Sequence, residues 1–296
     1  MKPLSFGSIR NLLFASLVAC VLVTAVSPVM AYDVFNPDGS INVGSDSLFT
    51  VLTKGDFNDL NNTFTGPSVI TGNVGIGGHG NYSMSDGTVN GDIYMNSFGT
   101  LTLSGPAKIT GHKRGARTDQ GEDGTDQTST LANALADSVS LSAAAAALAP
   151  TSNYAVTHGS FTQGQSINIS NPANNITIDG IMNNPFNKPI VLSINAVNLS
   201  NGSLTLNGNA HTTFVLNITG DFTINNSNIF ATGGLLASHI LFNLEGTATF
   251  NMQQGTTATG TFMALNRNVS LSGGKIFGRL VTNQLTLTSG GQVVSQ

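Results

Sequence analysis

Charge is scarce in this chain. Only 9% of its 296 residues are Asp, Glu, Lys or Arg, against roughly a quarter in an average soluble domain. Eleven Lys and Arg against fifteen Asp and Glu leave a net charge of −4, so the basic face that a nucleic-acid binder needs is missing. Trp is absent and Cys occurs once, which excludes a disulfide-stapled fold. His79, His112, His158, His211 and His239 lie in five separate segments, with no Cys partner and no H-x-x-x-H spacing. Neither a metal site nor a cofactor is expected from them. What abounds is Gly, at 34, with Asn about as frequent, beside 40% hydrophobic residues. That mixture describes a chain of many turns with enough apolar matter for a core.

Lys2 and Arg10 precede an apolar run from Leu12 to Val26, which ends in Ser27-Pro28 and then Val29-Met30-Ala31. A basic start, a short apolar stretch and small residues at its end make a secretory signal, with cleavage expected between Ala31 and Tyr32. The run is short of the roughly 20 residues of a spanning helix, and no second apolar span follows. The expected organisation is therefore a signal peptide over 1–31 and a single domain over 32–296, secreted or cell-surface associated, with no transmembrane segment after cleavage. Leu17-Val18-Ala19-Cys20 also resembles a lipoprotein box. The residues after Cys20 stay apolar, from Val21 to Val26, which weighs against lipidation there.

From Val69 onward the chain repeats one theme. Pieces such as Ile167-Asn168-Ile169, Ile176-Thr177-Ile178, Leu204-Thr205-Leu206, Phe214-Val215-Leu216-Asn217-Ile218, Ile240-Leu241-Phe242-Asn243-Leu244 and Leu285-Thr286-Leu287 are separated by Gly, Asn, Ser and Asp. Apolar side chains on one face and polar ones on the other are the period-2 signature of half-buried strands. Strands this short must stack to bury a face. A β-solenoid is favoured over a sandwich or barrel, because hairpin signals are few, Asn201-Gly202 and Asn207-Gly208 being the clearest. Asn also suits solenoid corners, where it stacks and tolerates left-handed backbone. Capping segments are expected at the solenoid ends, near Phe35 and Gln296.

One segment breaks the theme. Residues 128–149, stopped by Pro150, are Ala- and Leu-rich, with Leu131, Leu135 and Val139 spaced as one helical stripe. A lone helix in an all-β chain is expected to pack along one face, its run Ala143–Ala147 lying close against the sheet. The preceding polar segment, 111–127, concentrates Lys113, Arg114, Arg117, Asp119, Glu122, Asp123 and Asp126. Its acidic half offers oxygen ligands for Ca²⁺, but the spacing matches no EF-hand, and a solvated surface loop is the simpler reading.

Catalytic constellations are hard to find. Asp56 and Asp59 are close in sequence but read equally well as a strand end and turn, and no G-x-S-x-G elbow occurs. Gly75-Ile76-Gly77-Gly78-His79-Gly80 lacks the following helix that an anion cradle needs, so a tight corner is expected there. The chain is read as non-enzymatic. Outward hydroxyls stand out instead: Thr100 and Thr102, Thr247 and Thr249, Ser270 and Ser272, Thr286 and Thr288 flank single central residues. On one strand face such ranks can order water or contact a repeating ligand, although Thr is also a good exposed strand residue.

Two resemblances add to this. Phe49-Thr-Val-Leu-Thr-Lys-Gly-Asp56-Phe57, Val74-Gly-Ile-Gly-Gly78, Val215-Leu-Asn-Ile-Thr-Gly220, Ser238-His-Ile-Leu-Phe-Asn243-Leu and Gly260-Thr-Phe-Met-Ala264-Leu-Asn266 resemble the bacterial choice-of-anchor A family. That resemblance implies an exported bacterial surface β-helix of adhesive character, binding a matrix protein or glycan, without catalysis. The segment Gly290–Gln296 carries neither a sortase signal nor a Pro-Glu-Pro tail, a departure that points to free secretion or cell association. The C-terminal stretch is also similar to bacterial ice-binding domains, which are β-solenoids with a helix along one side. That second resemblance implies an ice surface as the partner, met by the Thr/Ser face.

Overall fold

The computed structural model describes residues 32–59, 67–253 and 255–296. The expected signal segment 1–31, with Cys20 and Ala31, lies outside the described residues. The alternating pieces form short parallel strands that stack into the three faces of a β-solenoid. Face a stacks Ile167–Ile169, Val197–Ser200, Phe222–Asn225, Phe250–Gln253, 269–272, 285–288, Phe57–Asp59, Tyr82–Met84 and Leu101–Leu103. Face b stacks Ile176–Asp179, Ser203–Asn207, Asn228–Thr232, 257–260, 275–278, Gln292–Val294, Ser68–Thr71, Gly87–Asn90 and Lys108–Ile109. Face c stacks Ile190–Ile194, Phe214–Ile218, Ile240–Leu244, 261–264, 279–282, Val51–Thr53, Val74–Ile76, Ile93–Met95 and Lys113–Arg114.

Spatial order is not chain order. The chain enters mid-stack at Val51–Thr53 and climbs to one end at Lys113–Arg114. Helix α1, Thr128–Ala146, carries it back along face c. Ala155–His158 then pairs antiparallel with Ile176–Asp179 at the opposite end. Later coils return to the middle, where 279–282 lies against Val51–Thr53 and Gln292–Val294 against Ser68–Thr71. The solenoid ends are thus closed by 104–127 and by Ala155–His158. Phe35 and Gln296 are at neither end, correcting the capping expected there. Sequence position says nothing about stack position once the helix has made its return.

The interior is one continuous apolar column of Ile, Leu, Val and Phe drawn from all three faces. Face c is buried on both sides. Val191, Val215, Leu241, Met263 and Val281 point outward into a second apolar layer with Leu131, Ala134, Leu141 and Ala145 of α1. Phe214–Ile218 and Ile240–Leu244 are therefore buried throughout, not half-exposed as simple alternation suggests. A strand covered on both faces carries a nearly continuous apolar run. The helix begins at Thr128 as expected but ends at Ala146, and its buried stripe is Leu131, Ala134, Ser138, Leu141 and Ala145. Leu135 is only partly buried and Val139 is 52% exposed, so the stripe expected through Leu131, Leu135 and Val139 is rotated in fact. Within the Ala run only Ala145 is buried.

Glycine makes room for the helix. A Cβ on Gly75 would lie 2.8 to 2.9 Å from Leu52, Leu131 and Phe49, and one on Gly77 would lie 2.4 Å from Leu135. The Gly75–Gly80 run is therefore a close approach plus a corner. At other corners Asn takes the left-handed backbone. Asn201 and Asn226 have φ of 60° and 44°, and the Asn226 amide donates to Asn201 Oδ1 at 2.7 Å. Asn201-Gly202 thus joins face a to face b within a coil and is not a hairpin.

Candidate functional site

With α1 and the segment from Tyr32 to Phe49 covering face c, faces a and b are the sheet surfaces left open. The cover is firmly held. The Asn217 amide donates to Ala145 O at 2.7 Å, and the Asn243 amide to Ser142 O at 3.0 Å and to Asn217 Oδ1 at 2.9 Å. At the other edge of the helix, Asp137 accepts from Ser45 N at 2.7 Å, and Ser138 Oγ donates to buried Asp46 at 3.2 Å. Burial pushes the Asp46 carboxyl up to about 7, against the opposing pull of Arg279 and the Ser138 hydroxyl.

The corners between faces c and a are pinned from within by Arg267, fully buried. Its guanidinium donates to Gly220 O at 2.6 Å and Ala248 O at 3.2 Å, and more loosely to Leu244 O and Ile218 O. One side chain thereby ties three successive coils. Desolvation lowers its affinity for its proton, partly countered by nearby Asp221, yet a guanidinium remains charged in proteins.

The hydroxyl residues singled out in the sequence are divided by the coils. Ser270 pairs in register with Thr286, and Ser272 with Thr288, on face a. Thr102 stands on the same face in register with Ser83. Thr100 precedes its strand and hydrogen-bonds Asn81. Thr247 and Thr249 are exposed in the loop before Phe250–Gln253 and join no rank.

Face a presents amides as much as hydroxyls. Its outward positions run through Asn168, Asn198, Thr223, Asn251, Ser270 and Thr286 in register. Face b is the threonine face. Thr177 pairs with Thr205, Thr257 with Asn228 and Lys275, and Thr259 with Phe277, then Phe277 with Val294 and Val294 with Thr71. Thr88 pairs with Val69. These threonines were not grouped in the sequence because Ile176-Thr177-Ile178 and Leu285-Thr286-Leu287 look alike locally. Only the positions of the corners send one to face b and the other to face a.

The polar segment 111–127 lies at one end of the solenoid, largely exposed but tied down at a few points. Arg114 Nε donates to Asp92 at 2.7 Å, and Glu122 is buried and accepts from Arg117 N at 2.8 Å. Among the described residues no group of three or more His, Cys, Asp and Glu is placed to hold a metal. His79 is stacked on Phe98, His112 lies against Asp92, and His239 is buried near Thr213 and within electrostatic reach of His211. Asp56 serves structure, accepting from Asn81 N at 2.8 Å. Among the described residues no helix is long and apolar enough to cross a membrane.

The family model described as "Putative Ice-binding-like adhesive domain" matches residues 42–294. The chain belongs to this family. The ice-binding-like adhesive domain replaces the choice-of-anchor A assignment, whose motifs were loose coil signatures that any such solenoid can carry. Solved structures give the same fold. An ice-binding protein from Arctic yeast is 16% identical, with a TM-score of 0.51, covering 88% of this chain and 95% of that one. An ice-binding protein from an Antarctic biological consortium is 19% identical, with a TM-score of 0.50, covering 86% and 91%. One from an Antarctic Flavobacteriaceae bacterium is 16% identical, with a TM-score of 0.51, covering 89% of this chain and 49% of that one. A yeast protein among these means that the fold does not support a bacterial origin for this domain. No curated protein matches the chain.

Proposed function

We propose that this domain is an exported, non-catalytic ice-binding module that meets the ice surface with face b. One observation carries the reading: Thr177, Thr205, Thr257, Thr259, Thr71 and Thr88 stand outward on the parallel ladder of face b, in two columns interrupted by Phe230, Phe277, Val294, Lys275 and Val69. Adjacent rungs lie about 4.8 Å apart, of the order of the oxygen repeats of hexagonal ice. Each threonine offers a hydroxyl to hydrogen-bond ordered water and a methyl that does not compete for it. Val69, Val294 and Phe277 between them extend the apolar part of the surface. The family membership and the similarity to ice-binding proteins support the reading. Face a, with its amide-rich rank, is the less suitable surface, although Thr102, Ser270, Ser272, Thr286 and Thr288 stand there.

Thermal hysteresis and recrystallisation inhibition of residues 32–296 test this. Thr205→Tyr with Thr259→Tyr should remove most of the activity, and Thr286→Tyr with Thr288→Tyr should spare it. The reverse pattern would move the ice surface to face a, and no activity in the unaltered protein would end the reading.

A further inference from the structure

Face a between the end of the solenoid and Ser272 is a trough. A depression of about 270 Å³ is lined by Asn168, Asn198 and Ser200 and reaches Thr223 and Asn225. A second, of about 250 Å³, begins at the same Thr223 and Asn225 and continues past Asn251 and Gln253 to Ser270 and Ser272. At its outer end Asn168 also borders a cleft of about 620 Å³ that includes Phe161, Gln165 and Ser166. These concavities share residues and run across successive rungs from Ile167–Ile169 to 269–272. No Asp, Glu, Lys or Arg lines any of them.

The polar groups are not all occupied. Asn198 donates to Asn168 at 3.0 Å along the trough. At the waist, Asn225 Oδ1 is buried and without a hydrogen-bond partner among the described residues. An orphaned acceptor of this kind is costly unless something supplies a donor.

We infer that this trough binds a linear neutral polysaccharide, laid along the solenoid axis. The reasons are chemical. Amides and hydroxyls with both donors and acceptors suit ligands that are themselves rows of hydroxyls. A lining without charge matches a ligand without charge, because an anionic or cationic chain would have to shed water with no countercharge in return. The rung spacing of about 4.8 Å is close to the length of one pyranose unit, so successive sugars meet successive side-chain rungs. An open trough also admits a chain from both ends, as attachment to an internal stretch of polymer requires. The site is separate from the ice surface on face b, so the same domain can hold a glycan while face b is free.

Titration calorimetry of residues 32–296 with cellohexaose, xylohexaose and isomaltohexaose, and with polygalacturonate as the charged counter-probe, decides the matter. At least one neutral hexasaccharide should bind, and polygalacturonate should bind at least tenfold more weakly. Thr223→Trp, which fills the waist from the outside, should weaken that binding at least tenfold. Ser200→Tyr should do the same by another route, with circular dichroism showing both variants folded. Thr205→Tyr on face b should leave it unchanged. Failure of all three neutral probes, equal binding of polygalacturonate, or indifference to both Thr223→Trp and Ser200→Tyr would each overturn the proposal. None of these results depends on ice activity, so the two readings fail independently.

Discussion

The amide of Asn217 lies 2.7 Å from the carbonyl oxygen of Ala145, joining a strand of face c to the last turn of the helix that covers it. The last carbonyls of a helix lack the usual donor four residues on; Ala145 O already accepts from Leu148 N at 3.2 Å, and the strand side chain adds a second, shorter bond. One coil later the Asn243 amide donates to Ser142 O at 3.0 Å, and Ser142 Oγ donates back to Asn243 Oδ1 at 2.6 Å. Asn217→Leu should remove the buried bonds to Ala145 O and from Asn243 and cost about 1–3 kcal/mol. Urea unfolding should show a lowered midpoint with little change in slope.

The helix stripe gives a sharper contrast. Leu141→Ala should cost about 2–5 kcal/mol, because Leu141 is fully buried against face c. Val139→Ala should cost less than about 0.5 kcal/mol, since Val139 is more than half exposed. Equal losses in the two variants, measured by thermal unfolding, would contradict the helix orientation described here.

Arg267→Met should be among the most destabilising single changes. It removes the donors to four carbonyls on two neighbouring coils, at a cost of about 3 kcal/mol or more. For a chain of this size that corresponds to a fall in Tm of roughly 5–6 °C. Arg267→Lys should recover only part of it, because an ammonium cannot span the same set of carbonyls.

Stability should depend on pH through Asp46. Its carboxyl titrates at about 7 in the fold but near 3.9 in an unfolded chain. The folded state therefore holds its proton more tightly, so the stability associated with the protonated form is complete at acid pH and is lost as pH rises toward and through 7. Asp46→Asn should flatten this slope. Urea midpoints at pH 5, 6, 7 and 8 for the two proteins would measure it, and parallel curves would refute the assignment.

Much of the architecture can be read locally, and the reason is the same as the reason for what cannot. Ile167-Asn168-Ile169 announces a strand because two apolar side chains must be buried together. Asn201 announces a corner because it tolerates φ of 60°. Neither says which face a strand joins. Thr286 and Thr205 stand in identical Leu-Thr-Leu settings, yet corner lengths upstream place them on different faces. The role of Asn217 was hidden for a related reason. In isolation it reads as the polar member of an alternating strand, and only α1, far away in sequence, turns it into a helix cap. Arg267 gives no local signal at all, since its partners are backbone atoms of other coils.

The placement of Val51–Thr53 between Val74–Ile76 and 279–282 has a bearing on biogenesis. During synthesis the first coils can assemble early, but the strand edge at Val51–Thr53 and Ser68–Thr71 waits for the last coils to emerge before it is covered. Contacts that span nearly the whole chain carry a large loop-closure cost and form slowly. Until this seam closes, the nascent protein presents an open sheet edge, the feature most prone to join a neighbouring chain. A chain lacking Gln292–Val294 would leave face b open between 275–277 and Ser68–Thr71, in the middle of the stack and not at either end.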